Sequence, residues 1–132
     1  MTILELTGKS DLEQIALIEK GLPSQALAQI AKLLGLPKQK LIAGLKFAQR
    51  TISEREKAKK RFTMEESERL LRVLRVHKVA RELFTTDEAV AQWLSSPDRS
   101  LGMKTPLEML ATDVGTAKVE NLAAAMIHGV PA

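Results

Sequence analysis

Apolar residues recur along the chain with the three-to-four-residue period of amphipathic helices. The clearest stripe consists of Leu27, Ile30, Ala31 and Leu34, which stand at positions i, i+3, i+4 and i+7 and would share one helix face. A Val-rich run at residues 73–79 comes nearest to a strand, but its length and the helix start before it favour a helix. The pattern therefore predicts an all-α protein.

Helix boundaries are marked by capping residues. Three capping boxes predict helix starts at Ser10, Thr63 and Thr105, because each hydroxyl residue is followed three positions later by Glu, whose side chain can return to the cap. Pro106 strengthens the third start, since proline fits the first helical position. Gly35 predicts a helix end, because glycine readily adopts the left-handed conformation that closes many helices.

Two segments of the N-terminal half carry weaker signals. The apolar positions expected on the first helix are Leu12, Ile15, Ala16 and Ile18. Residues 50–61 are dense in charge and hold only Ile52 and Ala58 as apolar side chains. That composition fits either a solvated helix capped at Ser53 or a loop, and the sequence leaves both open.

Residues 27–45 have the spacing of a helix-turn-helix. A small residue, Ala31, stands where two helices would cross, and Gly35 follows four positions later in the turn. The apolar positions that would wedge the helices together are Ile30, Leu34, Leu36 and Leu41. The usual apolar position near the end of the second helix is Gly44, with Leu45 beside it. A plain helical hairpin around a Gly-Pro turn is the alternative.

Positive charge is concentrated in the half that contains this motif. Residues 1–62 carry a net charge of +6 and residues 63–132 a net charge of −2, which points to an anionic partner such as DNA for the first half. The candidate DNA-binding residues are Lys38, Gln39, Lys40, Lys46, Arg50 and Arg55. The first three would lie at the N-terminal end of the second helix, where side chains reach bases. In a plain hairpin they would simply be solvated.

The residues that enzymes and metal sites need are scarce. Cysteine is absent, and the two histidines, His77 and His128, lack the spacing of metal ligands. The acidic pairs at positions 65–66 and 87–88 fall at predicted helix starts, where acids stabilise the helix. We therefore expect no catalytic residue, no metal and no cofactor. The sequence also has no leader-like or membrane-spanning segment, so we expect a cytoplasmic protein without a membrane partner.

The helix predicted after Thr63 has a basic side and an apolar side. The basic series expected mostly to face solvent, with an interface rim as the alternative for some of its members, is Arg69, Arg72, Arg75, Lys78 and Arg81. The apolar side consists of Leu70, Val73, His77 and Ala80. Since one helix-turn-helix reads one half-site, we expect a homodimer, formed through this apolar side or through the N-terminal helices.

The last third of the chain contains several short motifs in a defined order, but no residues that indicate catalysis. Its marked residues are Ala91-Gln92-Trp93-Leu94, Pro97, Leu101-Gly102, Thr105-Pro106-Leu107-Glu108-Met109-Leu110, Thr112, Gly115, Val119-Glu120, Leu122 and His128-Gly129. In this order they resemble the toxin-binding domain of Xre/MbcA/ParS-type antitoxins. The resemblance covers residues 62–132 well and the helix-turn-helix half more loosely.

The resemblance implies a helix-turn-helix DNA-binding region at residues 1–62 and a helical toxin-binding domain at residues 63–132. It also implies a partner, a RES-type toxin that degrades NAD, whose active-site cleft the C-terminal domain would cover. The residues implied at that cleft are Asn121, His128, Gly129, Val130, Pro131 and Ala132. The N-terminal region would bind operator DNA and repress the shared operon.

Two other functions remain open from the sequence. One is a stand-alone helix-turn-helix transcriptional repressor without a toxin partner. The other is an adaptor whose helix-turn-helix no longer binds DNA. A neighbouring reading frame for a small NAD-degrading enzyme would distinguish an antitoxin from the first of these.

Overall fold

The computed structural model describes residues 10–129 and shows an all-helical architecture within that range. The helices are α1 Asp11–Lys20, α2 Ala26–Leu34, α3 Lys38–Gly44, α4 Gln49–Ala58, α5 Met64–Leu83, α6 Asp87–Ser95, α7 Pro106–Met109 and α8 Asp113–Ile127. A 3-10 turn, Arg99–Leu101, lies between α6 and α7. The extended pairing among the described residues is limited to one isolated bridge between Asp98 and Lys104. The prediction of an all-α protein is confirmed.

The capping boxes form where the sequence predicts them. Thr63 Oγ1 accepts a hydrogen bond from the amide of Glu66 at 3.2 Å, and the Glu66 carboxylate accepts one from the amide of Thr63 at 2.8 Å. The boxes at Ser10 and Thr105 close in the same way. Each box satisfies amide groups that the first helical turn leaves without a partner.

Residues 50–61 are helical over most of their length, which decides between the two alternatives left by the sequence. α4 begins after Ala48 without a side-chain cap, so the predicted cap at Ser53 is wrong and that residue lies inside the helix. Ile52 is completely buried. α4 therefore has one packed side although most of its residues are polar or charged.

α1 faces the core differently from the expectation. Leu12 is 80% exposed, and Ile15 and Ala16 are exposed as well, so these three apolar positions of the first helix do not form its packed side. Leu17 is buried instead, and Ile18 packs against the core. Two residues differ by about 200° around a helix, so burying Leu17 turns Ile15 towards solvent.

One hydrophobic core joins the two halves of the chain. α5 packs against α1, α2, α6 and α8, while α2 also contacts α6. Leu70, Val73 and Ala80 of α5 are completely buried in this core. The apolar side of α5 is therefore used within the chain, and the expectation that it forms a dimer interface is wrong.

A direct contact between α3 and α7 explains the glycine at position 44. A Cβ atom there would lie 2.8 Å from both Cγ and Cδ2 of Leu107, well inside the optimal separation of two carbon atoms. Leu107 is itself buried. It supplies the apolar contact that a larger residue near the end of α3 would otherwise make.

Candidate functional site

α2 and α3 form the helix-turn-helix that the spacing predicts. Gly35 closes α2 with a φ of 69°, and the amide of Leu36 donates to the carbonyl oxygen of Ala31 at 3.0 Å. Pro37 then precedes the first residue of α3. Because Ala31 and Leu41 are buried where the two helices meet, the turn holds α3 across α2 with its other side towards solvent.

α3 is short, ending at Gly44, but it has an exposed side. Gln39, Lys40 and Ala43 are exposed, whereas the apolar residues between them are buried. Gln and Lys can bond to base edges in the major groove, so two of the three predicted base-reading residues lie on the solvent side of this helix.

Lys38 and Arg55 are each paired with an acidic residue of the same chain. Lys38 Nζ lies 2.8 Å from Glu56 Oε2, which joins α3 to α4. Arg55 Nε lies 2.7 Å from Glu66 Oε1, and both of these side chains are mostly buried. The positive charge of these two predicted DNA-binding residues is therefore engaged within the protein.

The remaining predicted DNA-binding residues are Lys46, in the loop between α3 and α4, and Arg50, in the first turn of α4. Lys46 and Arg50 are exposed, and Arg50 pairs with Glu54 at 3.1 Å in a solvated contact of small energetic value. Lys46 has a left-handed backbone, with a φ of 59°. α4 starts at this loop without a side-chain cap, and an uncapped helix start beside two cations favours a phosphate group.

Two arginines of α5 are not in solvent as the sequence predicts. The side chains of Arg69 and Arg72 are only 17% and 13% exposed. Arg75 and Arg81 are more open and pair with acidic residues. The prediction of a solvated basic series is therefore wrong for the first two, because they find partners on other helices. A Glu stands four residues before each of them, but a Glu–Arg pair at this spacing also occurs on solvated helix sides, so the sequence carried no signal of the burial.

His77 packs at the contact between α5 and α6, as its position on an apolar helix side predicts. Its Nε2 atom lies 3.4 Å from Asp87 Oδ1. Burial lowers the pKa of His77, and the negative charge of Asp87 opposes part of this effect. A hydrogen bond from Arg81 lowers the pKa of the Asp87 carboxyl group. The neutral imidazole is favoured, which fits a packing role.

α8 presents a long exposed side in the C-terminal half. We call it the α8 face; it consists of Val114, Ala117, Asn121, Ala124 and His128. These positions recur every three or four residues and so share one side of the helix. The opposite side is buried in the core through Gly115, Thr116, Val119, Leu122 and Ala123. The structure thus brings together Asn121 and His128, two of the predicted toxin-binding residues.

The remaining predicted toxin-binding residues follow α8. Gly129 is exposed and has a φ of 68°, the left-handed conformation expected of a glycine after a helix. Val130, Pro131 and Ala132 lie outside the described residues.

Metal-binding and membrane-spanning features do not occur in the described part of the chain. Within residues 10–129, no group of His, Cys, Asp and Glu side chains is placed to hold a metal ion. Over the same residues, no helix combines the length and the apolar character required to cross a bilayer.

The fold and these surfaces define a class of protein, in which a helix-turn-helix is followed by a small helical domain with an exposed face. The profile of the antitoxin Xre-like helix-turn-helix domain matches residues 13–75. The profile of the antitoxin Xre/MbcA/ParS C-terminal toxin-binding domain matches residues 79–129. Both matched ranges extend into α5. The boundary predicted between residues 62 and 63 stays a prediction.

Curated relatives named antitoxin Xre occur in several bacteria. That of Photorhabdus laumondii is 36% identical over 118 residues, which cover 87% of this chain and 78% of the relative. That of Yersinia enterocolitica is 32% identical over 114 residues, covering 86% and 77%. That of Pseudomonas putida is 31% identical over 80 residues, covering 61% and 50%. The chain belongs to the Xre family of antitoxins, which is not a known enzyme family.

Proposed function

We propose that this antitoxin neutralises an NAD-degrading toxin of the RES type by placing the α8 face and the residues after it over the toxin's active-site cleft. The observation that carries the proposal is the α8 face itself, an exposed helix side in a domain of the toxin-binding type. Inhibition by covering a cleft needs no catalytic group in the inhibitor. It needs a surface that excludes substrate and fits closely.

The side chains of the α8 face suit such a contact. Ala117 and Ala124 are small, so a partner can approach the helix backbone closely. Val114 adds an exposed apolar side chain, and Asn121 can both donate and accept hydrogen bonds. The α8 face contains no Asp, Glu, Lys or Arg, and charged residues are depleted at the cores of protein interfaces.

Ala124→Arg is expected to abolish neutralisation of the co-expressed toxin. A long charged side chain at the middle of the α8 face would prevent close approach by the partner. The cost to folding should be small, because Ala124 is exposed. Growth of cells that express toxin and antitoxin together, with copurification of the two proteins, measures the effect.

A matched variant and an NAD assay separate the possible outcomes. Gln92→Arg places the same charge on an exposed position of α6 and should leave neutralisation intact. Full rescue by a folded Ala124→Arg antitoxin would show that α8 does not cover the toxin. If the toxin stops growth without lowering cellular NAD, the RES-type assignment is wrong.

We propose in addition that α3 reads an operator in the antitoxin's own operon and that the protein represses this operon as a homodimer. Exposed Gln39 and Lys40 would contact bases, while Lys46 and Arg50 would contact phosphates. Lys38 and Arg55, predicted from the sequence as further contacts, would chiefly hold α3, α4 and α5 together through their ion pairs. Two half-sites require two copies of the motif.

Replacing Gln39 and Lys40 by alanine should weaken operator binding by about 1–3 kcal/mol for each side chain that reads a base. If Lys40 contacts a phosphate instead, the slope of log affinity against log salt falls by about one. Fluorescence anisotropy over a range of salt concentrations distinguishes these cases. Lys118→Ala, which removes the same charge from α8, is the control. If Gln39→Ala and Lys40→Ala both leave the operator affinity and its salt dependence unchanged, α3 is not the helix that contacts the operator.

A further inference from the structure

Two arginines one turn apart on α5 bind the C-terminal ends of two different helices. Arg69 Nη1 donates to the carbonyl oxygen of Leu45 at 2.9 Å, and Leu45 is the capping residue directly after α3. Arg72 Nη1 donates to the carbonyl oxygen of Leu110 at 3.4 Å, and Leu110 is the capping residue directly after α7. The last carbonyl groups of a helix lack partners within it and carry its negative pole, so a guanidinium group stabilises both ends.

Arg69 is fixed by three contacts at once. Besides Leu45, it pairs with Glu65 at 2.6 Å, and its guanidinium group lies over the Phe47 ring, 4.8 Å from the ring centre. Leu45 and Phe47 flank Lys46, the exposed residue with the left-handed backbone. Arg69 thus holds both sides of the turn that presents Lys46, while its own side chain is mostly buried.

The two helices that these arginines hold also touch each other. Gly44 of α3 faces Leu107 of α7, with no room for a Cβ atom between them. α3 is therefore confined by α5 at its C-terminal carbonyl group and by α7 along its last turn. Its position depends on the C-terminal half of the chain as well as on the rest of the helix-turn-helix.

From these contacts we propose that Arg69 is a positioning residue for DNA reading, which fixes the end of α3 and the turn at Lys46 without touching DNA. The proposal rests on the operator-binding part of the proposed function. Arg72 makes the equivalent bond to the carbonyl oxygen of Leu110 after α7 and has no bond to the turn at Lys46. A substitution of Arg69 therefore acts on operator affinity, whereas the same substitution of Arg72 leaves the α3 turn in place.

The test compares Arg69→Ala, Arg69→Lys and Arg72→Ala in the full chain. Arg69→Ala should weaken operator binding roughly tenfold or more, because DNA binding must then restore the order of a turn that a hydrogen bond from a charged group had fixed, and such a bond contributes about this factor. Its salt slope should equal that of the unsubstituted protein, because every phosphate contact is kept. Arg69→Lys should recover part of the affinity, since an ammonium group can still donate to the Leu45 carbonyl oxygen. Arg72→Ala should stay within about twofold, well below the roughly tenfold that one charged hydrogen bond contributes.

Hydrogen exchange gives a readout that does not depend on DNA. Amides of residues 45–50 should exchange roughly tenfold faster in Arg69→Ala and stay protected in Arg72→Ala, because local opening costs less once a stabilising interaction is gone. Unchanged exchange, or a salt slope reduced by about one, would overturn the positioning role.

If the unsubstituted protein fails to bind its operator, the proposed repressor function is wrong. The exchange difference then still decides whether Arg69 positions α3. Should Arg69→Ala not fold, Arg69→Lys is compared with Arg72→Lys instead.

Discussion

Gly115→Ala should disrupt the junction of α7 and α8 and lower the free energy of unfolding by about 3 kcal/mol or more. A Cβ atom there would collide with the backbone carbonyl oxygen of Met109 and lie 2.9 Å from Thr112 Oγ1. Neither neighbour can move away easily. One is main chain, and the other accepts a hydrogen bond from the amide of Gly115 at 3.0 Å. The gain in helix propensity, about 1 kcal/mol for Gly to Ala, is smaller than this cost.

The residue before this glycine offers a matched control. Val114 is 82% exposed on the first turn of the same helix, so Val114→Ala should change stability by less than about 0.5 kcal/mol. Urea denaturation followed by circular dichroism measures both variants. A Gly115→Ala protein as stable as the Val114→Ala protein would mean that α7 and α8 can separate slightly at no cost. The close packing described for this junction would then be wrong.

Gly21→Ala is expected to cost a similar amount, about 3 kcal/mol, because backbone strain and overpacking act together. Gly21 has φ 93° and ψ 138°, a region that residues with a side chain rarely adopt. A Cβ atom would also collide with the carbonyl oxygen of Phe62. Hydrogen bonds hold this turn in place: the Leu22 amide donates to Ser67 Oγ at 2.8 Å, and the Phe62 amide donates to the Leu22 carbonyl oxygen at 2.9 Å.

Gly35→Ala separates the two contributions. Gly35 also has a positive φ, 69°, but a Cβ atom there would meet nothing within 4 Å. The free energy of unfolding of this variant should fall by only about 1–2 kcal/mol, the cost of placing a residue with a side chain in the left-handed conformation. Denaturation midpoints of the two variants, measured side by side, give the difference. Equal losses would show that the collision with Phe62 is relieved and that backbone strain alone matters.

The parts of the fold that the sequence predicts are those with local causes. The capping boxes at Ser10, Thr63 and Thr105 involve residues three positions apart, so the pattern contains the whole interaction. The apolar stripe of α2 likewise depends only on the spacing of residues within one helix. The burial of α1 was not predictable in the same way, because Leu12 and Leu17 are both apolar and only the position of α5 decides which one is covered.

For the candidate surfaces as well, features with local causes were predictable from the sequence and features that depend on distant partners were not. The exposure of Gln39, Lys40 and Lys46 follows from the helix-turn-helix spacing. The engagement of Lys38 and Arg55 does not, because a count of charges contains no information on Glu56 and Glu66 as distant partners. Every residue has a backbone carbonyl oxygen, so the sequence does not indicate which of them accept hydrogen bonds from Arg69 and Arg72. Gly44 departs from the apolar residue that is usual at its position in the motif. The reason is its contact with Leu107, which lies 63 positions away in the sequence.

The meeting of Gly44 with Leu107 also bears on how such chains diversify. Recombination between α3 and α7 would join the helix-turn-helix of one relative to the C-terminal domain of another. Such a hybrid packs as this chain does only where the residue facing Leu107 is as small as glycine, since a Cβ atom there overlaps the leucine. Positions 44 and 107 are therefore expected to vary together among relatives, with a larger side chain at one matched by a smaller one at the other.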